Sequence, residues 1–379
     1  MKGYPVTSGL ECTRCVMRSE DDPNLEVVDG ICNHCRRYQA LLPTRVLSGA
    51  EGERAVTELV SAMRAARSKD GYDCLIGVSG GVDSTFVARE VVRRGLRPLA
   101  IHVDNGWNSE TAVGNISKTL DALGIDLYTE VLDLREFYDL QRAFLLANTP
   151  DGDVPADHAI QAMMWKVARK FGIRYIVSGM NFRTEAISVP EWSYGHSDWR
   201  YLRDVHRRLG RRKLRTYPHF GFTELLYTNV MRRVRIVSIL NYIDYDKSAA
   251  LQVLKDELGW EAYGGKHFES IYTRFYQGYV LPTKFGIDKR RGHLSDLINS
   301  GQMTREQALE ELATDDYDER LRRRDEELFL KKLALTTDQF REIMNAPVAS
   351  FRDYKNSYVF INRLKRTVNR LRRAGLYPR

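Results

Sequence analysis

The sequence has no long hydrophobic run. No stretch of its 379 residues approaches the roughly eighteen uncharged apolar residues that a membrane span requires. The opening residues, MKGYPVTSGLECTRC, contain no apolar segment of the kind that a secretory signal carries. We therefore expect a cytoplasmic protein without a membrane span, in a compartment where thiols stay reduced and structural disulfides are rare.

Cysteine is scarce, and four of the five cysteines belong to one pattern. Cys12, Cys15, Cys32 and Cys35 read C-x2-C-x16-C-x2-C, a spacing typical of zinc sites, although disulfides or chance are alternatives. Four thiolate ligands leave no open position for a substrate, so the predicted Zn²⁺ is structural. The remaining Cys74 lies in an apolar run and is predicted to be a buried strand residue. The sequence therefore offers no cysteine nucleophile for glutamine hydrolysis or sulfur relay.

Negative charge is in deficit, because the net charge at neutral pH is +8. Basic residues concentrate in RDVHRRLGRRKLR at 203–215 and in the tail from residue 351 onward. Such an excess favours anionic partners such as nucleic acid, a nucleotide or a membrane headgroup, but a solvated basic surface is the simpler reading. We predict that the tail forms a docked, solvated terminal helix. Two capping-box patterns, Thr304 with Gln307 and Thr336 with Gln339, predict helix starts before it.

Strands and helices alternate in the first half of the chain. The apolar patterns predict strands at 73–78, 97–104, 126–133 and 174–179, and helices at 46–70, 84–95, 110–124 and 158–172. This alternation indicates an α/β fold with a doubly wound parallel sheet covered on both faces. Ligands of such sheets bind beyond the carboxyl ends of the strands, where GVSGG, HVDNGW and SGMN should converge. We expect three regions: a four-cysteine zinc module at 1–45, the sheet domain at 46–300 and a helical C-terminal region at 301–379.

The segment SGGVDS at 79–84 is predicted to bind phosphate. Gly80 and Gly81 allow consecutive backbone N–H groups to face one anion, and a helix beginning near Ser84 would add its N-terminal dipole. The hydroxyls of Ser79 and Ser84 can complete the oxygen cage, and Asp83 can hold a Mg²⁺ ion that bridges phosphate oxygens. No lysine follows the glycines, so the segment is not the P-loop of ordinary NTPases.

With its flanking strand and helix, GVSGGVDST resembles the loop of the PP-loop ATP pyrophosphatase superfamily, whose members cleave ATP to AMP and pyrophosphate. Further segments resemble the N-acetyl sugar amidotransferase family, which serves the synthesis of bacterial lipopolysaccharide O-antigen and related surface sugars. These segments are ECTRCVM with GICNHC, PLAIHVDNGWNSE, DHAI, SGMNFRTE and GGKHFESIYTRFYQGYVLPTKFGIDKRRGHLSDLINSGQMTREQAL. The similarity extends from about residue 10 to about residue 312.

The resemblance implies an ATP-dependent ligase. An N-acetyl oxygen of a nucleotide-activated sugar would attack the α-phosphorus of ATP, and ammonia would then displace AMP to leave an acetamidino group. A nucleotide-linked diacetamido mannuronate and a nonulosonic acid both fit as the sugar. Since no glutaminase nucleophile is present, we expect a separate glutaminase, with a possible ammonia-channelling, synthase-like subunit.

The resemblance also implies roles for individual residues. The predicted ATP contacts are Ser79, Gly80, Gly81, Asp83, Ser84, Val103, Asp104, Gly179, Asn181 and Lys284, with Val103 and Asp104 near the adenosine and Gly179 and Asn181 at the far wall of the crevice. The predicted catalytic residues are Asp83, Lys289 and Arg290, the last two in a cationic segment, with Lys284 and Arg291, that would close over the phosphates. The predicted sugar contacts are Trp107, Asn108, Asp157, His158, Lys266, His267, Glu269 and Arg274. Trp107 could equally belong to the core, and Asp157 could instead be a helix N-cap.

Two other functions remain open on the sequence. A tRNA-thiolating PP-loop enzyme would use the basic surface, but such sulfur transfer usually needs further cysteines. A non-catalytic, zinc-dependent nucleic-acid-binding protein would carry a degenerate loop, whereas Asp83 and both loop glycines are intact here. We therefore expect a sugar substrate and no nucleic acid partner.

Overall fold

The computed structural model describes residues 9–265, 268–314 and 317–373. The chain begins with a short antiparallel hairpin, formed by strands β1 (Val27–Val28) and β2 (Ile31–Cys32). Helix α1 (Asn33–Arg45) follows directly, and its N-cap is Cys32, whose sulfur accepts a hydrogen bond from the Cys35 N–H. The hairpin and the start of α1 therefore hold the second C-x-x-C pair in one compact turn.

A five-stranded parallel sheet forms the centre of the molecule. Its strands are β3 (Cys74–Gly77), β4 (Pro98–Asp104), β5 (Asp126–Val131), β6 (Tyr175–Ser178) and β7 (Arg235–Ser238). Their order in the sheet is β5–β4–β3–β6–β7, with every neighbouring pair parallel. The chain thus runs outward from β3 in one direction, returns, and runs outward from β6 in the other. This reversal between β3 and β6 is where a doubly wound sheet opens its ligand crevice.

Helices cover both faces of the sheet and build the C-terminal region. The helices that follow α1 as far as β7 are α2 (Gly49–Ala65), α3 (Val82–Arg93), α4 (Glu110–Leu123), α5 (Leu134–Leu146), α6 (Val154–Lys170), α7 (Trp199–Leu209) and α8 (Phe222–Leu226). Those after β7 are α9 (Lys247–Leu258), α10 (Ile271–Phe275), α11 (Arg290–Asn299), α12 (Arg305–Ala313), α13 (Glu319–Leu333), α14 (Thr337–Asn345) and α15 (Tyr358–Arg373). Short π-helical segments, Tyr227–Met231 and Tyr276–Phe285, extend α8 and α10.

The core is divided by the sheet, because successive strand side chains point to opposite faces. Ile76 packs with helices α2, α3, α4 and α9 in one cluster. Leu75 packs on the other face, in a larger cluster that joins α5, α6 and α7 to the zinc-module cysteines and to the C-terminal helices as far as Phe351. The N-terminal module and the C-terminal helices therefore share a continuous core with the sheet.

The predicted fold class is confirmed, including the four strands expected from the apolar patterns. Both predicted capping boxes are present, at the starts of α12 and α14. The tail after residue 351 contains α15, and its last six residues lie outside the described part. The predicted domain boundaries stay a prediction. Within the described residues, no helix combines the length and apolar character needed to cross a membrane.

Candidate active site and structural metal centre

The loop between β3 and α3 has the compact form that phosphate binding requires. The Gly81 N–H donates to Ser79 Oγ at 3.3 Å, and the hydroxyls of Ser79 and Ser84 lie 3.2 Å apart. Helix α3 begins at Val82, two residues earlier than predicted, so Asp83 lies in its first turn. The loop thus groups two hydroxyls, a carboxylate and the N-terminus of a 12-residue helix at the end of β3. An anion beside them would meet the positive end of that helix.

Gly80 makes this loop possible. Its φ is +79°, and a Cβ on its backbone would lie 2.4 Å from the carbonyl oxygen of Ala112 in α4. The Gly80 carbonyl oxygen accepts a hydrogen bond of 3.0 Å from the Trp260 indole. The turn is therefore fixed by close packing on α4 and by one buried indole N–H.

Gly179 and Asn181 follow the end of β6, beside the phosphate loop. A Cβ at Gly179 would lie 3.1 Å from the Asp83 carbonyl carbon, so the end of β6 touches the first turn of α3. Asn181 is buried, and its amide donates to the Gly179 carbonyl oxygen and to Thr184 Oγ1. Its side chain therefore shapes this turn, and its predicted contact with ATP stays a prediction.

Three further residues approach the loop, and two of them, Tyr245 and Tyr263, carry no local sequence signal. The Tyr245 hydroxyl donates to Asp83 Oδ1, and burial, followed by the charge of Asp83, raises the pKa of Tyr245. A Cβ atom built on Gly81 would lie 3.3 Å from the Tyr263 hydroxyl oxygen and 3.7 Å from Glu269 Oε1, so both side chains lie beside the loop. Glu269 therefore lies beside the phosphate loop, and its predicted contact with the sugar stays a prediction. Tyrosine hydroxyls and carboxylates at this position can orient Mg²⁺ ligands, and oxygen donors of this kind fit Mg²⁺.

The end of β4 is tied to the segment that holds Glu269. The Ser109 N–H donates to the Glu269 carbonyl oxygen, and the Ile271 N–H donates to the Trp107 carbonyl oxygen. Asn108 lies between them, and its amide contacts His102 Nε2 at 3.0 Å. Asp104 Oδ1 accepts the Gly106 N–H at 2.8 Å, and the Val103 side chain is packed in the core. The predicted adenosine contacts of these last two residues stay a prediction.

Trp107 is a core residue, so the prediction that it contacts the sugar is wrong and the alternative, a place in the core, is correct. The side chain has no exposed surface, and its indole N–H donates to Gln141 Oε1 at 2.8 Å. Its ring packs against Tyr138, Tyr272 and Phe329. A fully enclosed ring cannot stack on a substrate without unfolding this cluster.

A cavity of about 650 Å³ lies next to the crevice. Met180, which follows Gly179, is part of its wall, whereas no residue of the phosphate loop lines it. Its lining mixes aromatic rings with charged groups: Trp192, Phe268, Tyr317, Arg274, Lys289, Arg290, His196, His293, Asp288, Asp296, Glu185 and Glu311. Rings and cations of this kind suit a sugar that carries phosphate groups.

The four basic side chains of the segment predicted to close over the phosphates point to different parts of the protein. Lys289 and Arg290 both line the cavity. Lys289 Nζ lies 3.7 Å from Asp153, and Arg290 forms a fork with Asp288 at 2.9 Å. Lys284 instead donates to carbonyl oxygens at the end of α14, and Arg291 donates to the Val16 carbonyl oxygen in the zinc module. These contacts assign Lys284 and Arg291 to packing, so the expected four-residue phosphate clamp is not formed by the described geometry.

Arg274 also lines the cavity, but its guanidinium group is held by Asp325 of α13 through bonds of 2.6 and 2.8 Å. Burial alone would lower the pKa of Arg274, and the Asp325 contact reverses that direction and raises it. The remaining predicted sugar contacts Lys266 and His267 lie outside the described residues.

Asp157 and His158, the first two residues of the segment DHAI, differ in their exposure to solvent. His158 is completely buried in α6, where its ring stacks on Phe220 at 4.4 Å, and burial lowers its pKa to about 4. It is therefore a neutral core residue, and its predicted sugar contact is wrong for this structure. Asp157 is half-exposed and pairs with His196 at 2.8 Å. The N-cap of α6 is Asp153, so the alternative that Asp157 caps the helix is also wrong.

The four paired cysteines form one buried cluster. Their sulfur atoms all lie within 4.8 Å of one another, with Cys12 and Cys35 separated by 4.0 Å and Cys15 and Cys32 by 3.7 Å. All five cysteines of the chain are free thiols. Backbone N–H groups of Cys15 and Cys32 point at Cys12 Sγ, which is the arrangement that stabilises thiolates around a metal. The donor set therefore fits a tetrahedral Zn²⁺ ion with no open position.

Helix α11 anchors this metal centre to the cavity wall. The Asn299 amide donates to Cys35 Sγ at 3.3 Å, and the Ser295 hydroxyl accepts the Val16 N–H at 3.3 Å. Other residues of the same helix, Gly292, His293 and Asp296, line the cavity. One short helix therefore faces both the cysteine cluster and the candidate substrate site.

A comparison with protein families finds a match in the C-terminal part of the chain. Residues 269–367 match the family model described as LPS biosynthesis protein WbpG-like, C-terminal domain. No curated protein matches the chain. Among solved structures, the chain is similar to a predicted subunit of a tRNA methyltransferase from Methanocaldococcus jannaschii, at 13% identity over 48% of this chain and 72% of that one, with a TM-score of 0.28.

An NMN synthetase from Francisella tularensis is also similar, at 16% identity over 76% of this chain and 95% of that one, with a TM-score of 0.29. Likenesses this distant carry no functional argument. The family match does support the resemblance drawn from the sequence: over residues 269–367 the chain is similar to the WbpG-like proteins of lipopolysaccharide biosynthesis.

Proposed function

We propose that this protein is an ATP-dependent amidotransferase that adenylates an N-acetyl group of a nucleotide-activated sugar and replaces its oxygen with nitrogen from ammonia. The products besides the acetamidino sugar would be AMP and pyrophosphate. The proposed setting is the synthesis of lipopolysaccharide O-antigen or a related surface sugar, in the cytoplasm, where reduced cysteines are available for zinc.

One observation carries the proposal. The end of β6 touches the phosphate loop, because a Cβ at Gly179 would lie 3.1 Å from the Asp83 carbonyl carbon, and Met180, the next residue, lines the 650 Å³ cavity. A nucleotide held by the loop and a sugar held in the cavity would therefore share one reaction space. Holding two reactants in a reactive geometry can lower the barrier by about 7–11 kcal/mol.

The residues of the loop would act by charge and position. Backbone N–H groups and the dipole of α3 would stabilise the outer phosphates, so that the innermost phosphorus becomes the electrophile. Asp83, oriented by Tyr245, would hold Mg²⁺, which supplies charge neutralisation when bound. Lys289 and Arg290 would stabilise the phosphate charge from the cavity side. A closed cavity would also protect the adenylated sugar from water.

The proposal is tested by product analysis with the purified chain. With ATP, Mg²⁺, ammonium and a UDP-linked diacetamido uronic acid, we expect AMP and pyrophosphate in equal amounts, and mass spectrometry should show one oxygen replaced by an NH group. Ammonium should support turnover and glutamine should not, because the nitrogen is proposed to come from a separate glutaminase and its channelling partner. Production of ADP and orthophosphate would contradict the proposal.

A matched pair of variants ties this activity to the loop. Asp83→Asn should lower sugar-dependent AMP formation by about 10² to 10³-fold, as the loss of one charge-stabilising group does in other active sites. Asp121→Asn removes an exposed carboxylate from α4 and should leave the rate unchanged. Equal rates for the two variants would show that Asp83 has no role in the reaction.

A second candidate, tRNA thiolation, is favoured by one observation. A surface cleft of about 440 Å³ is lined by three arginines of α7 and Lys355, with one carboxylate, Asp204, which pairs with Arg207: the arginines are Arg200, Arg203 and Arg207. Such a cationic cleft could hold a nucleic acid phosphate. Retention on tRNA at physiological salt, with no pyrophosphate release on adding the sugar, would favour this candidate. Retention with no ATP turnover at all would favour a non-catalytic zinc protein.

A further inference from the structure

Three polar side chains form a continuous hydrogen-bonded chain at the edge of the cavity. Ser193 Oγ lies 2.9 Å from His196 Nε2, and His196 Nδ1 lies 2.8 Å from Asp157 Oδ2. Ser193 and His196 both line the cavity. Asp157 is one of the predicted sugar contacts, whereas Ser193 and His196 lie in an irregular loop between β6 and α7 that carries no recognisable motif.

The imidazole of His196 is held in place from several sides. The backbone carbonyl oxygen of His196 accepts a 3.0 Å hydrogen bond from His158 Nδ1, and this bond fixes the loop on helix α6. The neighbouring Tyr194 N–H donates to the buried carboxylate of Asp151 at 2.6 Å. Gly195 adopts a φ of +106°, where a Cβ would lie 2.4 Å from the Tyr201 ring. The loop can therefore present His196 with little freedom to reorient.

Asp157 determines which nitrogen of His196 carries the proton. A carboxylate accepts hydrogen bonds and cannot donate them when ionised, so the proton of the neutral ring belongs on Nδ1. Nε2 is then the acceptor nitrogen and points at the Ser193 hydroxyl. An imidazole with a carboxylate behind it and a hydroxyl in front can take up a proton that arrives through the hydroxyl.

Charged groups around His196 come from three elements. Asp157 belongs to α6, Asp151 precedes that helix, and Lys289 stands at the start of α11. Burial lowers the pKa of His196, but the hydrogen bond and charge of Asp157 outweigh burial, and the net direction is upward from its usual value. A raised pKa means that the neutral imidazole of His196 binds a transferred proton more strongly than an unperturbed histidine does.

We propose that Ser193, His196 and Asp157 form a proton relay that activates the nitrogen nucleophile of the amination step. This inference rests on the proposed function. One proton leaves the ammonium nitrogen for Ser193 Oγ while the Ser193 proton moves to His196 Nε2. The lone pair of the resulting ammonia forms the new C–N bond, and the C–O bond to AMP breaks with its electron pair on the AMP oxygen. His196 then releases the proton to solvent.

The reaction separates into two measurable halves, which distinguishes the relay from the proposed function. Sugar-dependent exchange of pyrophosphate into ATP reports adenylation and needs no ammonium. Formation of acetamidino sugar with ammonium reports amination. For His196→Gln and Asp157→Asn we expect amination to fall by about 10² to 10⁴-fold, the usual contribution of a general base, and to fall at least tenfold more than exchange does.

His206→Gln is a matched control. His206 also pairs with a carboxylate, at 3.3 Å from Asp139, but it does not line the cavity, and both half-reactions should stay normal. Added imidazole should partly restore amination by His196→Ala, and raising the pH should narrow the deficit of that variant, because free ammonia then needs no base.

The outcomes are distinct. If the wild-type chain shows neither exchange nor amination with any candidate sugar, the proposed function fails and the relay fails with it. If the wild-type chain performs both but the His196 variants lose exchange and amination equally, or lose neither, the relay alone is overturned. Covalent labelling of Ser193 by a fluorophosphonate during turnover conditions would instead show that Ser193 is a nucleophile, which also overturns the relay.

Discussion

Gly80 is the residue on which the phosphate loop depends most. Gly80→Ala places a Cβ at a φ of +79°, where L residues are strained by about 1–2 kcal/mol, and drives it against a backbone oxygen that cannot move aside. We expect sugar-dependent pyrophosphate exchange to fall at least tenfold. The measurement is the exchange rate at saturating sugar, together with a urea unfolding curve.

Gly114 is the control for that change, because it lies within α4 and a Cβ there meets no atom within 4 Å. Gly114→Ala should stabilise the protein by about 1 kcal/mol, as alanine does in helix interiors, and should leave exchange unchanged. If Gly80→Ala exchanged pyrophosphate as fast as Gly114→Ala, the loop would not depend on its backbone conformation.

His158 gives the protein a specific sensitivity to acid. Its pKa is lowered to about 4 by burial, so the folded state keeps the ring neutral while the unfolded chain binds a proton near its ordinary value. The unfolded state therefore holds more protons between about pH 6.5 and pH 4, and stability falls as the pH falls through that window. The loss attributable to this ring is roughly 3 kcal/mol.

His158→Gln should flatten that part of the pH dependence, because glutamine does not titrate. The measurement is the free energy of unfolding in urea at several pH values between about 4 and 7, compared with wild type. Losing the stacked imidazole also makes the variant less stable at neutral pH. The test is therefore the slope of the unfolding free energy against pH, and not its absolute value. Parallel slopes would assign the acid sensitivity to other groups.

At the scale of elements, helix α11 joins two functions. Asn299 donates to Cys35 Sγ and accepts a 3.1 Å bond from Arg14, so it orients a metal ligand from outside the cysteine cluster. Asn299→Ala should weaken zinc binding by about 10 to 100-fold, the usual effect of removing such a supporting group. Competition with a chromophoric chelator measures the affinity. Asn345→Ala, at the exposed end of α14, should have no effect.

Hydrogen exchange adds a second measure of the same coupling. Removing zinc from the wild-type chain should increase amide exchange in α11, because Ser295 and Asn299 lose their fixed partners in the module. Amides of β3 and β4, in the middle of the sheet, should keep their protection. Equal loss of protection in both regions would mean that the metal supports the whole fold, and unchanged α11 protection would separate the helix from the metal.

The elements also show what can be predicted from sequence. β3, β4 and β6 were predictable because each is an apolar run between turn residues, and the largely exposed edge strand β5 was predictable from the β-branched and aromatic residues of DLYTEV after a helix-ending glycine. β7 was not, because Arg235–Ser238 is a short edge strand that keeps Arg235 and Ile236 exposed and so lacks a buried pattern.

The candidate site also contains residues that could be predicted from the sequence and residues that could not. The loop at 79–84 is local, so its residue types reveal it, and the spacing of the cysteines reveals the metal centre. Tyr245, Tyr263 and His196 reach the site from distant loops and have no periodic signal. The burial of Trp107 and His158 was equally hidden, since aromatic residues at strand ends and helix starts serve cores and ligands alike.

At the scale of the whole molecule, the C-terminal helices reach the nucleotide end of the sheet. Lys332 of α13 donates to the Gly106 carbonyl oxygen and lies 4.7 Å above the Trp107 ring. Burial lowers the pKa of Lys332. Because Gly106 follows the predicted adenosine-binding end of β4, Lys332→Met should raise the KM for ATP about tenfold, the equivalent of roughly 1.4 kcal/mol, with a smaller change in kcat.

Lys331→Met is the matched control, since Lys331 is exposed on the same helix. It should leave both kinetic constants unchanged. A Lys332 variant whose kcat falls while its KM for ATP stays constant would contradict a positioning role at β4. Steady-state kinetics with ATP varied at saturating sugar and ammonium decides between these outcomes.

The shared helix α11 has a consequence for the living cell. Because α11 contacts the cysteine cluster and also lines the cavity, losing the metal should alter the cavity wall before it alters the phosphate loop. Under the proposed function, zinc starvation would therefore weaken sugar binding while the nucleotide crevice persisted, and the composition of surface polysaccharides would change before the protein was degraded.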